Sequence, residues 1–393
     1  DNRRLHFIRA DITNYSAETE FDYVVLSDTI GYLHDVQVVF ENLRRLMTPR
    51  SRLVLNAYNF VWEPILRLAH WLRLKQSHPR QNWLSRDDIV NLLDLAGFEV
   101  VHSEGALLFP KYIPIVSALL NAVLAKLPLL RQLTVTQFIV ARPRHEPPAE
   151  DAAAYTVSIV VPARNEAGNI EAAIARTPAM GLWTEFIFVE GHSQDNTWET
   201  IQRVQTEHSE HRIIAARQPG KGKKDAMLTG YAYCTGDIIM ILDADLTMPP
   251  EELPKFYRAI ASNKGEFING VRLVYPMEDK AMRLLNLFGN KFFSLAFSYI
   301  LGQPYKDTLC GTKVFWRHDY ERMAANRAYF GDFDPFGDFD LIFGAAKLAL
   351  KAVQMPIHYK ERTYGSTQIS RFSHGWLLLK MTWVGLRKFK WWV

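Results

Sequence analysis

The stretch Gly236-Asp-Ile-Ile-Met-Ile-Leu-Asp-Ala-Asp-Leu-Thr-Met-Pro-Pro250 governs how the rest of this chain is read. Ile238 to Leu242 are apolar and β-branched or long, which predicts a strand buried on both faces. Two carboxylates, Asp243 and Asp245, follow one residue apart where that strand runs out, and Pro249-Pro250 bars its direct continuation. Burying like charges side by side costs on the order of several kcal/mol unless a cation sits between them. A hard divalent ion with oxygen ligands, Mg²⁺ or Mn²⁺, answers that cost and keeps positions open for substrate phosphates. A nucleotide diphosphate is then the natural third party. Read without its surroundings, the triplet is equally a polar turn with both aspartates in water.

The bulk numbers bound the problem. A length of 393 residues predicts about two or three domains of ordinary size. With 48% hydrophobic and 22% charged residues, the chain is globular and core-forming. A net charge of +4 without a basic arm does not point to nucleic acid. Two cysteines, Cys234 and Cys310, allow at most one disulfide and fit a reducing, cytoplasmic compartment. The chain begins at Asp1 with no signal-like segment and reads as a piece of something longer. No uncharged apolar run is long enough for a transmembrane helix.

Up to Arg142 the pattern predicts strands near Leu5–Arg9, Asp22–Ser27, Arg52–Tyr58, Phe98–Glu104 and Val135–Arg142. Between them lie helical patterns over Val36–Met47 and Ser85–Ala96, the second with Ser85 as N-cap, acidic residues in its first turn and Gly97 past its end. Alternating strands and helices predict a parallel α/β sheet. Leu107–Leu133 is the most apolar run, but Pro110, Pro114 and Pro128 break it. It reads as a cover for the sheet or as a helix lying on a membrane surface.

Asp11 after a strand, then Phe21-Asp22-Tyr-Val-Val-Leu-Ser-Asp28, a helix and Arg52-Leu-Val-Leu resemble the C-terminal half of a class I S-adenosylmethionine-dependent methyltransferase. The resemblance implies that Asp11 faces the cofactor's adenine and that Ser27 and Asp28 line its pocket. The family's first strand, glycine-rich loop and ribose-binding acid would lie before Asp11, where only ten residues stand. A truncated Rossmann-like sheet that holds S-adenosylmethionine only if that missing part is present is therefore expected.

A polar, Pro- and Ala-rich stretch over 144–154 reads as a linker between a first domain at 1–143 and a second at 155–393. In the second, a strand over Thr156–Val161 ends in Pro162-Ala-Arg-Asn-Glu166, and one over Phe186–Val189 ends in Glu190-Gly-His-Ser. Open α/β sheets bind ligands beyond such carboxyl ends. Gly220-Lys-Gly-Lys-Lys-Asp225 precedes a helix and suits a phosphate by charge and by close backbone approach.

This order of elements resembles glycosyltransferase family 2 enzymes of GT-A fold, most closely the dolichyl- and polyprenyl-phosphate hexose synthases. The motifs that carry the likeness are Val160–Glu166, Glu190-Gly-His-Ser193, Gly220–Lys223, Asp243-Ala-Asp245, Asp307–Lys313 and Glu361–Ser366. It implies that Pro162, Arg164, Glu166, Glu190, Lys221, Lys223 and Asp243 hold the nucleotide sugar, and that Asp243 and Asp245 hold the metal. It places Arg272, Arg283, Arg362 and Ser366 on the acceptor or its phosphate, where arginine's rigid fork suits an anion. Asp307, Asp338 and Asp340 are the candidate catalytic carboxylates. A sugar hydroxyl needs a base to take its proton, whereas a lipid phosphate is already anionic.

The tail from Gly375 to Val393 mixes Trp and Leu with Lys and Arg, a composition suited to the headgroup layer of a membrane. Together these features predict metal-dependent, inverting transfer of a hexose from a nucleotide-diphospho-sugar to a lipid-linked phosphate, by a protein peripheral to the cytoplasmic face of the membrane. Three rivals stand beside it: the same fold acting on a hydroxyl, methyl transfer by the first domain, and a non-enzymatic scaffold.

Overall fold

Short β-branched runs bounded by turn residues form eleven strands among the described residues of the computed structural model. Those residues are 6–72, 82–111, 113–127, 130–144, 154–272, 284–331, 334, 337–360, 362, 364 and 371–391. They fall into two compact units, Asp1–His145 and Glu146–Val393. Both have the α/β class expected.

The first unit carries β1 (Phe21–Leu26), β2 (Met47–Tyr58), β3 (Phe98–Ala106) and β4 (Thr136–Pro143) in the order β1-β2-β4-β3. Helices Val36–Arg45 and Arg86–Leu95 close one face, where Phe40, Ile89 and Leu93 pack on Leu26, Leu53 and Leu55. Ser85 caps the second helix through a reciprocal box with Asp88. Two expectations need correcting. β1, β2 and β3 share one direction, but β4 is inserted between β2 and β3 and runs antiparallel to both. The connection from β3 to β4 contains the helix Val116–Ala122, yet β4 pairs directly beside β3 in the opposite direction. Residues 6–9 form no strand either, and Phe7 and Ile8 lie exposed, with no neighbouring strand to bond them among the described residues.

The second unit is a seven-stranded sheet in the order β11-β9-β10-β8-β5-β6-β7. The strands are β5 (Val157–Ala163), β6 (Thr184–Glu190), β7 (Arg212–Arg217), β8 (Ile238–Ile241), β9 (Phe267–Val271), β10 (Lys313–Trp316) and β11 (Ala352–Pro356). Helices cover both faces, which is why β5 and β8 are continuous apolar runs. Ile170, Ile201 and Val204 pack on Ile159 and Phe188. Met227, Phe339 and Phe343 lie against the opposite face with Val160 and Ile241. β5, β6, β7 and β8 are parallel, whereas β10 runs antiparallel to both β8 and β9. The chain leaves β5 toward β6 on one side and later returns as β8 on the other. The carboxyl ends of β5 and β8 therefore flank a topological switch point.

Candidate active site

The switch point gathers the residues that matter. β8 ends at Ile241, and Asp243 follows it after Leu242. Lys223, first residue of the helix Lys223–Tyr233, places its Nζ 2.7 Å from Asp243 Oδ1. Burial opposes the charge on Asp243, but Lys223, Lys313 and Arg272 outweigh it and hold its carboxyl below the usual range. Lys223 is raised for the complementary reason: burial disfavours its charge, and Asp243 more than restores it. The turn before that helix needs Gly222, whose φ is +88°.

Asp245 turns to the other side. Its Oδ1 accepts hydrogen bonds from the backbone N–H and hydroxyl of Thr247 at 3.1 and 2.8 Å. Its Oδ2 lies 2.7 Å from Arg362 Nη2. The same guanidinium reaches Glu166 Oε1 at 3.1 Å through Nη1, so one arginine joins the ends of β5 and β8. Glu166 is pushed above the ordinary carboxyl value by burial, which outweighs the pull of Arg362. Lys360 N–H donates to Thr247 O at 2.9 Å, which ties the chain bearing Arg362 to the loop after β8.

The loops after β5 and β6 are laced together. Asn165 N–H donates to Ser193 Oγ at 3.0 Å, and Gln194 N–H donates to Asn165 Oδ1 at 2.7 Å. Glu190 accepts the Ser193 N–H at 2.5 Å, and Arg217 stands 3.7 Å from its other oxygen. Pro162 lies in β5, and Arg164 is exposed just beyond it. Lys221 is also exposed, in the turn before Lys223.

Asp307 is buried and held by a two-pronged ion pair, with Arg272 Nε at 2.7 Å and Nη2 at 2.9 Å. Burial works against its charge, but Arg272 and the backbone N–H groups of Arg272 and Leu309 keep it below the usual range. The two residues expected to serve acceptor and chemistry thus satisfy each other. Asp338 begins the helix Asp338–Lys347 and bonds Lys313 Nζ at 2.9 Å. Asp340 lies 3.1 Å from Lys224 Nζ and 3.7 Å from Arg327 Nε. Arg283 and Ser366 lie outside the described residues. In the first unit, Asp11 is exposed and accepts from Thr13, which lowers its carboxyl. Asp28, in the left-handed region at φ 49°, bonds Asn56 Nδ2 at 2.7 Å, and Ser27 O accepts from Thr29.

Several contributors carry no role in the sequence reading. Lys313 is fully buried at the start of an otherwise apolar strand, and that charge inside an apolar run was the available signal. Asp195 receives the Tyr364 hydroxyl at 3.4 Å and the Ala167 N–H at 3.4 Å, a junction of three separated segments. Gly311 packs so closely on Asp243 that an added Cβ would stand 2.0 Å from Oδ2.

The donor set suits a divalent cation. Carboxylate oxygens are hard ligands, and the missing side chain at Gly311 leaves Asp243 room. Among the described residues, no three His, Cys, Asp or Glu side chains gather as a cage. An ion at Asp243 and Asp245 would therefore keep positions for phosphate oxygens and water, as Mg²⁺ and Mn²⁺ do.

Residues 158–329 match the family model described as glycosyl transferase family 2, and residues 4–103 match one described as a methyltransferase domain. Residues 158–329 are a family 2 glycosyltransferase domain. Its curated relatives include the undecaprenyl-phosphate 4-deoxy-4-formamido-L-arabinose transferase of Enterobacter sp. (strain 638), 27% identical over 56% of this chain and 64% of the relative. The same enzyme of Salmonella paratyphi A is 26% identical over 54% and 62%. The chain thus spans less than two thirds of the length of these relatives. Matched solved structures include glucosyl-3-phosphoglycerate synthase from Mycobacterium tuberculosis with Mn²⁺, UDP and glucosyl-3-phosphoglycerate (18% identity, TM-score 0.44, 61% of this chain and 82% of that one). Another is a mannosyltransferase from Pyrobaculum calidifontis with GDP-Man and Mn²⁺ (18%, TM-score 0.39, 57% and 60%). Glu166, Lys223, Asp243 and Asp245 all fall within the matched residues 158–329.

Proposed function

We propose that the second unit moves a hexose from a nucleotide-diphospho-sugar to a polyprenyl-phosphate-type lipid, with inversion and with Mg²⁺ or Mn²⁺. The observation that carries this reading is the convergence of Asp243, Asp245, Lys223 and Arg362 at the β5/β8 switch point. Asp243 and Asp245 would hold the cation, which would supply positive charge to the diphosphate leaving group. Lys223 and Arg362, which stand beside these carboxylates, would supply cationic donors to phosphate oxygens. Pro162, Arg164, Glu166, Glu190 and Lys221 form the nucleotide end, and Arg272, Arg283 and Ser366 the acceptor end.

The state of Asp307 favours an anionic acceptor over a hydroxyl. A general base works best with a pKa near the working pH, and Asp307 is held low by Arg272. Such a carboxylate is a poor proton acceptor, and a lipid phosphate requires none. Asp307 then orients Arg272. The names of the curated relatives agree with this acceptor class.

For the chain as a whole, the division is a methyltransferase-like domain at 1–143, a linker at 144–154 and the transferase domain at 155–393. Attachment to the cytoplasmic membrane surface runs through the helices Leu284–Leu301 and Arg371–Leu386, which pack together and expose Phe292, Leu295, Trp376, Leu379 and Trp383. No helix among the described residues is long and apolar enough to cross a membrane. Incubating the protein with a panel of radiolabelled nucleotide sugars and undecaprenyl phosphate, with Mn²⁺ or with chelator, tests the proposal. Metal-dependent label in the lipid phase is expected; donor hydrolysis without labelled lipid would discard the lipid acceptor.

A further inference from the structure

The first unit carries an apolar face that its own core does not use. Between Phe60 and Leu72, which include the helix Glu63–Trp71, no described side chain is buried. Ile65, Leu68 and Trp71 are 54%, 54% and 78% exposed. The helix Val116–Ala122 is inverted for a surface helix in water: Ser117 is its buried residue, whereas Ile115 and Leu119 are 83% and 54% exposed. Ile115 precedes it at φ 66°, a strained conformation for a β-branched residue. The two segments spring from one base, since Trp62 Nε1 donates to Leu133 O at 2.7 Å and Asn59 N–H to Val135 O at 2.8 Å.

Charge says what covers this face. Residues 60–82 hold four Lys or Arg and 107–135 hold three, against the single acid Glu63. Arg67 already answers Glu63 at 2.5 Å within the helix. In composition these two stretches join exposed apolar side chains, a Trp among them, to a surplus of cations, which suits the boundary of an anionic bilayer, where rings and aliphatic groups enter the acyl edge and cations meet headgroups. We infer that the first unit docks on an anionic lipid surface through the helix Glu63–Trp71 and the segment 113–123. The observations are independent of the transferase reading and of the C-terminal helices.

The full chain is tested on vesicles of phosphatidylcholine, alone or with phosphatidylglycerol, without nucleotide sugar or polyprenyl lipid, so that failure of transfer does not affect the result. The wild-type protein should sediment with the anionic vesicles, and Leu68→Glu/Trp71→Glu should lower its partition about tenfold or more. In parallel, Leu119→Cys is labelled with an environment-sensitive dye, which is selective because Cys234 and Cys310 are buried. The dye emission should shift to the blue on anionic vesicles, also in a Trp376→Ser/Trp383→Ser background. Wild-type partition of the Glu variant with an unshifted dye overturns the inference. So does a Glu variant that turns a dimer into a monomer in sedimentation while its vesicle binding is unchanged, because a second copy then covers the face.

Discussion

Arg272 and Asp307 solve each other's burial. An arginine left among apolar groups without its carboxylate keeps the desolvation cost and loses the attraction. Asp307→Asn should therefore destabilise the protein by about 3–5 kcal/mol, read as a lower urea midpoint. Asp307→Leu/Arg272→Met should recover much of that stability while abolishing transfer. The sign of the pH effect follows from the lowered pKa of Asp307. Its stabilisation is fully present above the unfolded value of about 3.9 and is lost as pH falls through the lower folded value. Hence the stability gap between wild type and Asp307→Asn should be constant from about pH 7 to pH 5 and shrink below about pH 4. A gap that widens in acid would contradict the ion pair. Gly311 gives a steric prediction. Gly311→Ala places a methyl where Asp243 Oδ2 now sits, so Mn²⁺ binding followed by electron paramagnetic resonance should weaken at least tenfold.

At the scale of elements, the loop after β8 and the segment after β11 contest one position. Arg362 occupies an oxygen of Asp245 that a cation would want. In the absence of donor, Arg362→Ala should bind Mn²⁺ several-fold more tightly in calorimetry, yet turn over more slowly once donor is supplied. Weaker Mn²⁺ binding by this variant would show that Arg362 supports the metal rather than competing with it. β5, β6 and β8 were legible in the sequence because strands buried on both faces read as apolar runs, and their polar ends announced the site. β10 is not legible as a strand, since it is short and opens on the charge of Lys313, which is answered by Asp338, 25 residues away. The four-stranded sheet was misread in direction for a similar reason. Strand polarity depends on which neighbour β4 meets, and no local pattern records that. The pairing of Arg272 with Asp307 spans 35 residues and was equally invisible, although both residues were singled out.

The second unit carries a charged site at one end of its sheet, and each unit exposes apolar side chains. Ligand linkage should therefore be visible without any assay of transfer. Mn²⁺ together with a nucleoside diphosphate at about a hundred times Kd should add about 2.7 kcal/mol to the second unit, read as a rise in Tm that chelator reverses. The bridge made by Arg362 also has a consequence in time. Arg362 follows Asp245 by 117 residues and Glu166 by 196. At ~5–20 residues per second of synthesis, both acids are made on the order of ten seconds before the arginine that will join them. During that interval neither acid has this guanidinium beside it. A cation bound at Asp245 in that time would have to yield an oxygen when Arg362 arrives.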